Sequence, residues 1–139
     1  MAPSIKRGDK FLVRRLKKEK LKRGDLVIYK LGIGETYHQR IIGLPGETIE
    51  IERNKDNIAD VYINDKILNE PYKKLKENSP HPKAIHYAKT HIPENSYFIL
   101  GDNRDMSYDS RFLSPINKRK IIGKIIYIYY PIKRVKIFK

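Results

Sequence analysis

The sequence has no cysteine. That excludes a disulfide scaffold, a thiol nucleophile and a cysteine-type zinc site, and it leaves the redox compartment open. No run approaches the roughly 18 apolar residues that a membrane-spanning helix needs. The first ten residues, MAPSIKRGDK, lack the apolar core of a secretion signal. Acidic residues are scarce: 16 Asp and Glu stand against 30 Lys and Arg, a formal net charge of +14. This excludes an acidic solvating protein and favours an anionic neighbour, either nucleic acid or a lipid surface. Glycine and proline, eight of each beside 40% hydrophobic residues, are too few for wholesale disorder. The 139 residues fit one ordinary domain with room for a small insert.

Short β-rich runs punctuated by Gly, Pro, Asn and Asp dominate the chain. Alternation predicts strands near 10–14, 25–29, 36–42, 48–53, 60–63, 97–100 and 124–130. Turn signals stand between them at Leu44-Pro45-Gly46, Ile63-Asn64-Asp65 and Gly101-Asp102-Asn103. The tripeptide Arg-Gly-Asp occurs at 7–9 and 23–25, each time before an apolar run, and reads as a turn feeding a strand; an integrin-type loop is the alternative for so short a motif. A sustained helical period is rare, and the best helical candidate is a short turn at 117–121 after Pro115. The expectation is an all-β fold of curved antiparallel sheets. Residues 69–90, with Pro71, Pro80, Pro82 and a lysine cluster, read as a long loop or insert. The core is expected at about 1–53 and 91–139, with the insert at about 54–90.

The densest polar cluster runs from Gly101 to Arg111, directly after the apolar strand Tyr97-Phe98-Ile99-Leu100. Three Asp, two Arg and two Ser in eleven residues cannot form a core strand. They must form a loop whose side chains satisfy one another. Asp109 and Arg111, two apart, share a face in extended chain and can pair. Such a loop is either a self-braced surface feature or a rigid support that orients a neighbouring group. A second run, from Tyr37 to Glu47, is a strand entering a Pro-Gly turn. Alternation sets Tyr37, Gln39 and Ile41 on one face and His38, Arg40 and Ile42 on the other. His38 is a candidate acid–base group by residue type, although a lone strand histidine is commonly structural. His81, His86 and His91 have no metal-ligand spacing.

Taken in order, these runs resemble type I signal peptidase, a family of membrane-anchored Ser/Lys endopeptidases. Met1-Ala2-Pro3-Ser4-Ile5 resembles the segment that follows the family's nucleophilic serine. Lys22 to Tyr29 resembles the next strand, and Arg40-Ile41-Ile42-Gly43-Leu44-Pro45-Gly46-Glu47 the run after its catalytic lysine. Val61-Tyr62-Ile63-Asn64, Glu70-Pro71-Tyr72, the stretch Gly101 to Phe112, and Ile122-Gly123-Lys124 complete the order. The resemblance covers nearly the whole chain.

The resemblance implies particular roles, and the departures change them. The nucleophile's position lies before Met1, and an N-terminal membrane anchor is expected upstream, on the extracytoplasmic face of the cell membrane. The general-base lysine's position is Gln39. A lysine of depressed pKa accepts a serine proton at neutral pH, whereas a glutamine amide cannot. Ser107 matches the serine that orients the base, and Asp109 and Arg111 match the ion pair that braces the loop. Ala2, Pro3 and Ile28 resemble the lining of shallow pockets for small residues, the source of an Ala-x-Ala preference. Arg40, Gly43, Pro45, Gly46, Gly101, Asp102, Asn103 and Arg104 match structural positions. Ser4 matches a small hydroxyl residue rather than a nucleophile; Lys6 and Lys10 are nearby cations with no geometric claim to be the base. A related eukaryotic and archaeal branch uses His as base directly before the Arg; here Gln39 intervenes before Arg40, and alternation turns His38 to the other face. After Phe112 the family's aromatic-Gly pattern is replaced by Leu113-Ser114-Pro115.

The expected function is recognition of small-residue segments of exported proteins at a membrane surface, without cleavage. Either an inactivated peptidase or a natural pseudo-enzyme fits, and non-catalytic relatives assist assembly of surface pili in Gram-positive bacteria. The expected partners are exported pre-proteins or pilin subunits and an anionic membrane surface. The tail from Pro131 to Phe138 mixes apolar and basic residues, which suits an interface or an edge strand protected by Lys. An active peptidase that uses a serine before Met1, with a lysine in a parent protein or His38 as base, is the first alternative. A basic β-barrel that binds nucleic acid is the second, but Lys and Tyr are not grouped on one face and the Asp-rich loop repels phosphate, so no nucleic-acid partner is expected. No metal or organic cofactor is implied.

Overall fold

The structure is a computed structural model that describes residues 1–16, 20–55, 59–73 and 86–138. The lysines at 74 and 76, Pro80, His81 and Pro82 lie outside the described residues. Among the described residues, eleven strands and one short α-helix follow in chain order. They are β1 (Lys10–Arg15), β2 (Leu26–Lys30), β3 (Thr36–Gly43), β4 (Thr48–Arg53), β5 (Ala59–Ile63), β6 (Lys66–Ile67), β7 (Tyr87–His91) and β8 (Ser96–Leu100). Then come α1 (Ser110–Leu113), β9 (Ile116–Asn117), β10 (Ile121–Tyr130) and β11 (Lys136–Ile137). The larger sheet has the order β1-β10-β2-β3-β8-β9 with β11 added beside β10, and the smaller one β6-β5-β4-β7. All paired neighbours are antiparallel. The all-β expectation is borne out.

Around β2 the larger sheet buries apolar residues on both faces. Leu26 of β2 joins Ile5, Ile125 and Ile128 on one side, while its neighbour Val27 joins Tyr29, Ile41, Tyr97 and Ile99 on the other. Such alternation of apolar residues to opposite sides explains why β2 reads as a continuous apolar run. A third cluster, with Ile49, Ile51, Val61, Ile92, Phe98 and Leu100, fills the space between the two sheets. Gly43 makes this junction possible: a Cβ there would lie 2.2 Å from Ile92 Cδ1.

Both Arg-Gly-Asp tripeptides are turns of one kind. Asp9 Oδ2 accepts from Lys6 N at 2.8 Å, and Asp25 Oδ2 accepts from Lys22 N at 2.9 Å. Each turn feeds a strand. Each Asp also reaches a distant cation, Arg134 for Asp9 and Lys124 for Asp25, at 2.8 and 2.7 Å.

Two features differ from the sequence reading. Residues 87–90, expected in the long loop, are strand together with His91, as β7 paired with β4 in the smaller sheet. A five-residue edge strand with exposed polar positions carries too little apolar alternation to stand out. The polar loop contains α1, whose N-cap is Asp109 accepting from Arg111 N at 3.3 Å. The short helical turn expected at 117–121 is present, as a 3₁₀ turn at Lys118–Lys120. Among the described residues no helix is long and apolar enough to cross a membrane.

Candidate functional site

Strand β3 lies between β2 and β8, so its inward side chains meet groups from both neighbours. Gln39 pairs with Val27 across the ladder and is 5% exposed. Its Oε1 accepts from the Tyr29 hydroxyl at 2.9 Å. Its Nε2 donates to the Tyr108 carbonyl at 2.7 Å and to Ser107 Oγ at 3.2 Å. Both ends of the amide are thus engaged. Burial, with the charge of Asp109 adding to it, pushes the Tyr29 phenol well above its ordinary range and keeps it a neutral donor.

Ser107 reaches Gln39 because Gly101 leaves room for it. A Cβ at Gly101 would stand 2.2 Å from Ser107 Oγ. The loop is then fixed by Asp109, which is fully buried. Its carboxylate accepts from Gly101 N at 3.1 Å, from Arg111 Nε at 2.8 Å and from Arg111 Nη2 at 2.9 Å. Arg111 also donates to the carbonyls of Arg104 and Ser107, at 2.7 and 3.3 Å. The Asp109–Arg111 pair therefore ties the two ends of the loop to one charge pair, across the start of a helix rather than along extended chain.

Arg40 leaves the same strand toward the other face. Its Nε and Nη2 meet the two carboxylate oxygens of buried Asp102, each at 2.8 Å. It also donates to the Gly24 carbonyl at 2.8 Å and to Ser4 Oγ at 3.0 Å. Its guanidinium lies 4.1 Å from the Tyr72 ring centroid. Burial, then the neighbouring Glu70 charge, pushes the Tyr72 phenol up to about 12. Arg104 donates to the Gly101 carbonyl at 3.0 Å and pairs with Glu70, both side chains being buried. The Glu70-Pro71-Tyr72 loop is thereby locked onto the polar loop. Gly46, with Pro45, closes the turn after β3, and its N–H donates to the Ile92 carbonyl at 3.0 Å. Asn103 Oδ1 is buried without a hydrogen-bond partner among the described residues.

The structure separates the remaining candidates. His38 lies on the face opposite Gln39, its ring 6.0 Å from Phe11. There it lines a crevice of about 610 Å³ together with Met1, Ala2, Lys6, Asn103 and Met106. Burial holds its imidazole below the ordinary range, so it is neutral near pH 7. Pro3 lines a different crevice from Ala2. Ile28 packs on the cluster of Ile5, Leu26, Ile125 and Ile128. The Ser4 hydroxyl is engaged by Arg40, and Lys10 lies over the Tyr130 ring at 5.3 Å. Tyr29, Glu70 and Tyr72 were not singled out as site residues by sequence. Tyr29 can be placed beside Gln39 only when the β2–β3 register is known. Among the described residues no group of three His, Cys, Asp or Glu could hold a metal ion.

The family model described as "Signal peptidase, peptidase S26" matches residues 1–130. The chain belongs to this family. Signal peptidase I of Bacillus licheniformis is 33% identical to it over 98% of this chain and 75% of that protein. "Probable signal peptidase I-2" of Synechocystis is 27% identical over 97% of this chain and 61% of that protein. A crystal structure of a signal peptidase I from Enterococcus faecalis V583 superposes with a TM-score of 0.57 at 28% identity, covering 76% of this chain and 97% of that one. The chain thus spans 61% to 75% of the length of these two curated relatives.

Proposed function

We propose that this chain is a signal-peptidase-type domain that recognises Ala-x-Ala-type segments of exported proteins on the extracytoplasmic side of the cell membrane and does not cleave them. The observation that carries this reading is Gln39, buried and hydrogen-bonded at both ends of its amide where the resemblance puts a lysine. In a cleaving relative a serine preceding the position of Met1 attacks the scissile carbonyl, and the lysine amine takes its proton. Ser107, braced by Asp109 and Arg111, would orient that amine. A carboxamide nitrogen has no basic lone pair, so the proton has no acceptor at position 39. What is left is a binding surface: an extended peptide adds to a strand edge, and shallow pockets favour small side chains. The clients are exported pre-proteins, pilin subunits among them.

One observation favours a second reading. His38 is neutral and faces the crevice that Met1 and Ala2 line, so a serine before Met1 would find an imidazole there rather than an amine. The test is a fluorogenic Ala-x-Ala peptide given to the protein with whatever native segment precedes Met1. The expected outcome is saturable binding and no cleavage, with cleavage appearing in Gln39→Lys. Cleavage by the Gln39 protein that disappears in His38→Ala would replace the first reading with the second.

A further inference from the structure

The tail after residue 130 lies beyond the residues that the family model matches. From Pro131 the chain makes a 3₁₀ turn at Ile132–Arg134 and returns as β11, paired with the last part of β10. Neighbouring residues of a strand face opposite sides. Ile137 stands opposite Tyr127, and with it and Leu12 lines an apolar crevice on one side. Lys136 stands opposite the buried Ile128, and both line a different crevice, of about 630 Å³, on the other side.

This second crevice joins distant parts of the chain. The tail supplies Lys133, Arg134 and Lys136, the N-terminal turn supplies Ser4, and Arg40 and Tyr72 complete the wall. Arg134 fastens the tail to the turn: its Nη2 donates to the Ser4 carbonyl at 3.4 Å and its Nε to Asp9 at 2.8 Å. Among the described residues no carboxylate lines the crevice. Arg40 is answered by Asp102 and Arg134 by Asp9, both from outside it. Among the described residues neither Lys133 nor Lys136 forms a salt bridge. The crevice therefore holds two cations more than its surroundings neutralise. Edge protection accounts for one lysine on a short edge strand. It does not account for a second lysine, on the 3₁₀ turn, that shares the same crevice.

We propose that this crevice takes an acidic side chain, Asp or Glu, of the client protein, near the client's small-residue segment. Ser4 lies two residues after Ala2 and Arg40 directly after Gln39, so the crevice adjoins the two segments that form the candidate site. Two unanswered cations match one or two carboxylates, and such complementarity selects among clients more than it adds affinity. A nucleic-acid strand brings about one charge every 3.4 Å and needs a longer basic stripe. A lipid would need apolar side chains on the same face as the lysines, whereas Leu12 and Ile137 line the other. The inference rests on the proposed function for where the client lies, and it adds a charge preference to that reading.

The test is binding of the 139-residue chain to fluorescent Ala-x-Ala peptides in which a Glu-Glu pair is moved stepwise along either side of the small-residue segment. At one placement the pair should tighten binding roughly threefold to tenfold over the uncharged peptide. That gain should vanish in Lys133→Ala/Lys136→Ala and persist in Lys66→Ala/Lys120→Ala, a pair of exposed cations elsewhere on the surface. In Lys133→Glu/Lys136→Glu the preference should pass to a Lys-Lys peptide. An equal gain at every placement, or a gain kept in Lys133→Ala/Lys136→Ala, would assign the effect to the overall positive charge and overturn the crevice. A second measurement does not need the groove: amide NMR of the chain titrated with a short Glu-Glu peptide that lacks the Ala-x-Ala segment. Shifts centred on 133–136 and Ser4 are expected, and shifts elsewhere, or none, would overturn the inference. Tighter binding of inorganic phosphate or of an oligonucleotide at equal ionic strength would overturn an acidic peptide as the occupant. Loss of Ala-x-Ala binding with these shifts intact would count against the proposed function alone.

Discussion

The loop around Gln39 and the crevice under the tail are both rich in charge, and they handle it in opposite ways. Around Gln39 every charge is answered. Asp109 meets Arg111, Asp102 meets Arg40 and Glu70 meets Arg104, all of them buried or nearly so. Under the tail Lys133 and Lys136 have no carboxylate among the described residues. A matched buried network specifies geometry and resists change, because removing one partner strands the other. An unmatched exposed set specifies nothing about the fold, and its energy is realised only with a ligand. The contrast separates a part of the molecule that holds shape from a part whose charges the fold leaves unmatched.

Four variants can break or sharpen this contrast. Asp109→Ala, read by denaturant unfolding, should cost about 3–5 kcal/mol, because it leaves the Arg111 guanidinium buried without its carboxylate. A loss below about 1 kcal/mol would mean that the loop is not held by this pair. Tyr29→Phe removes the donor to Gln39 Oε1 inside the core. The expected cost is about 1–3 kcal/mol, the usual penalty for a stranded buried acceptor. Smaller again is the pH dependence of His38. Its pKa is lowered in the folded state, so the unfolded chain binds the proton more readily, and stability should fall as pH drops below about 6.5. His38→Phe should flatten the melting temperature between neutral and mildly acidic pH; an unchanged slope would assign that dependence elsewhere. Last, Lys133→Ala/Lys136→Ala should alter stability by no more than about 0.5 kcal/mol. A large destabilisation would place these lysines with the matched set.

Much of the larger sheet was legible because its strands alternate or run apolar over five or more residues. β2, β3, β8 and most of β10 stand out in this way. β7, β9 and β11 did not, since strands of two to five residues with polar faces owe their existence to a neighbouring edge rather than to their own pattern. The position of Gln39 relative to the polar loop was legible only through the motif that follows it. Ser107 lies 68 residues away, and no local rule links the two. Alternation set His38 opposite Gln39, but it could not show that the opposite face carries the Met1–Ala2 crevice, which depends on how the N-terminal turn packs. The Glu70–Arg104 and Tyr72–Arg40 contacts join segments more than 30 residues apart and were invisible for the same reason.

The most direct measurement is cleavage of an Ala-x-Ala fluorogenic peptide by the protein carrying its native segment before Met1, beside its Gln39→Lys variant. The amide at position 39 predicts binding without turnover in the Gln39 protein and turnover in the variant. Turnover by the Gln39 protein would contradict it, because some other group would then be taking the nucleophile's proton.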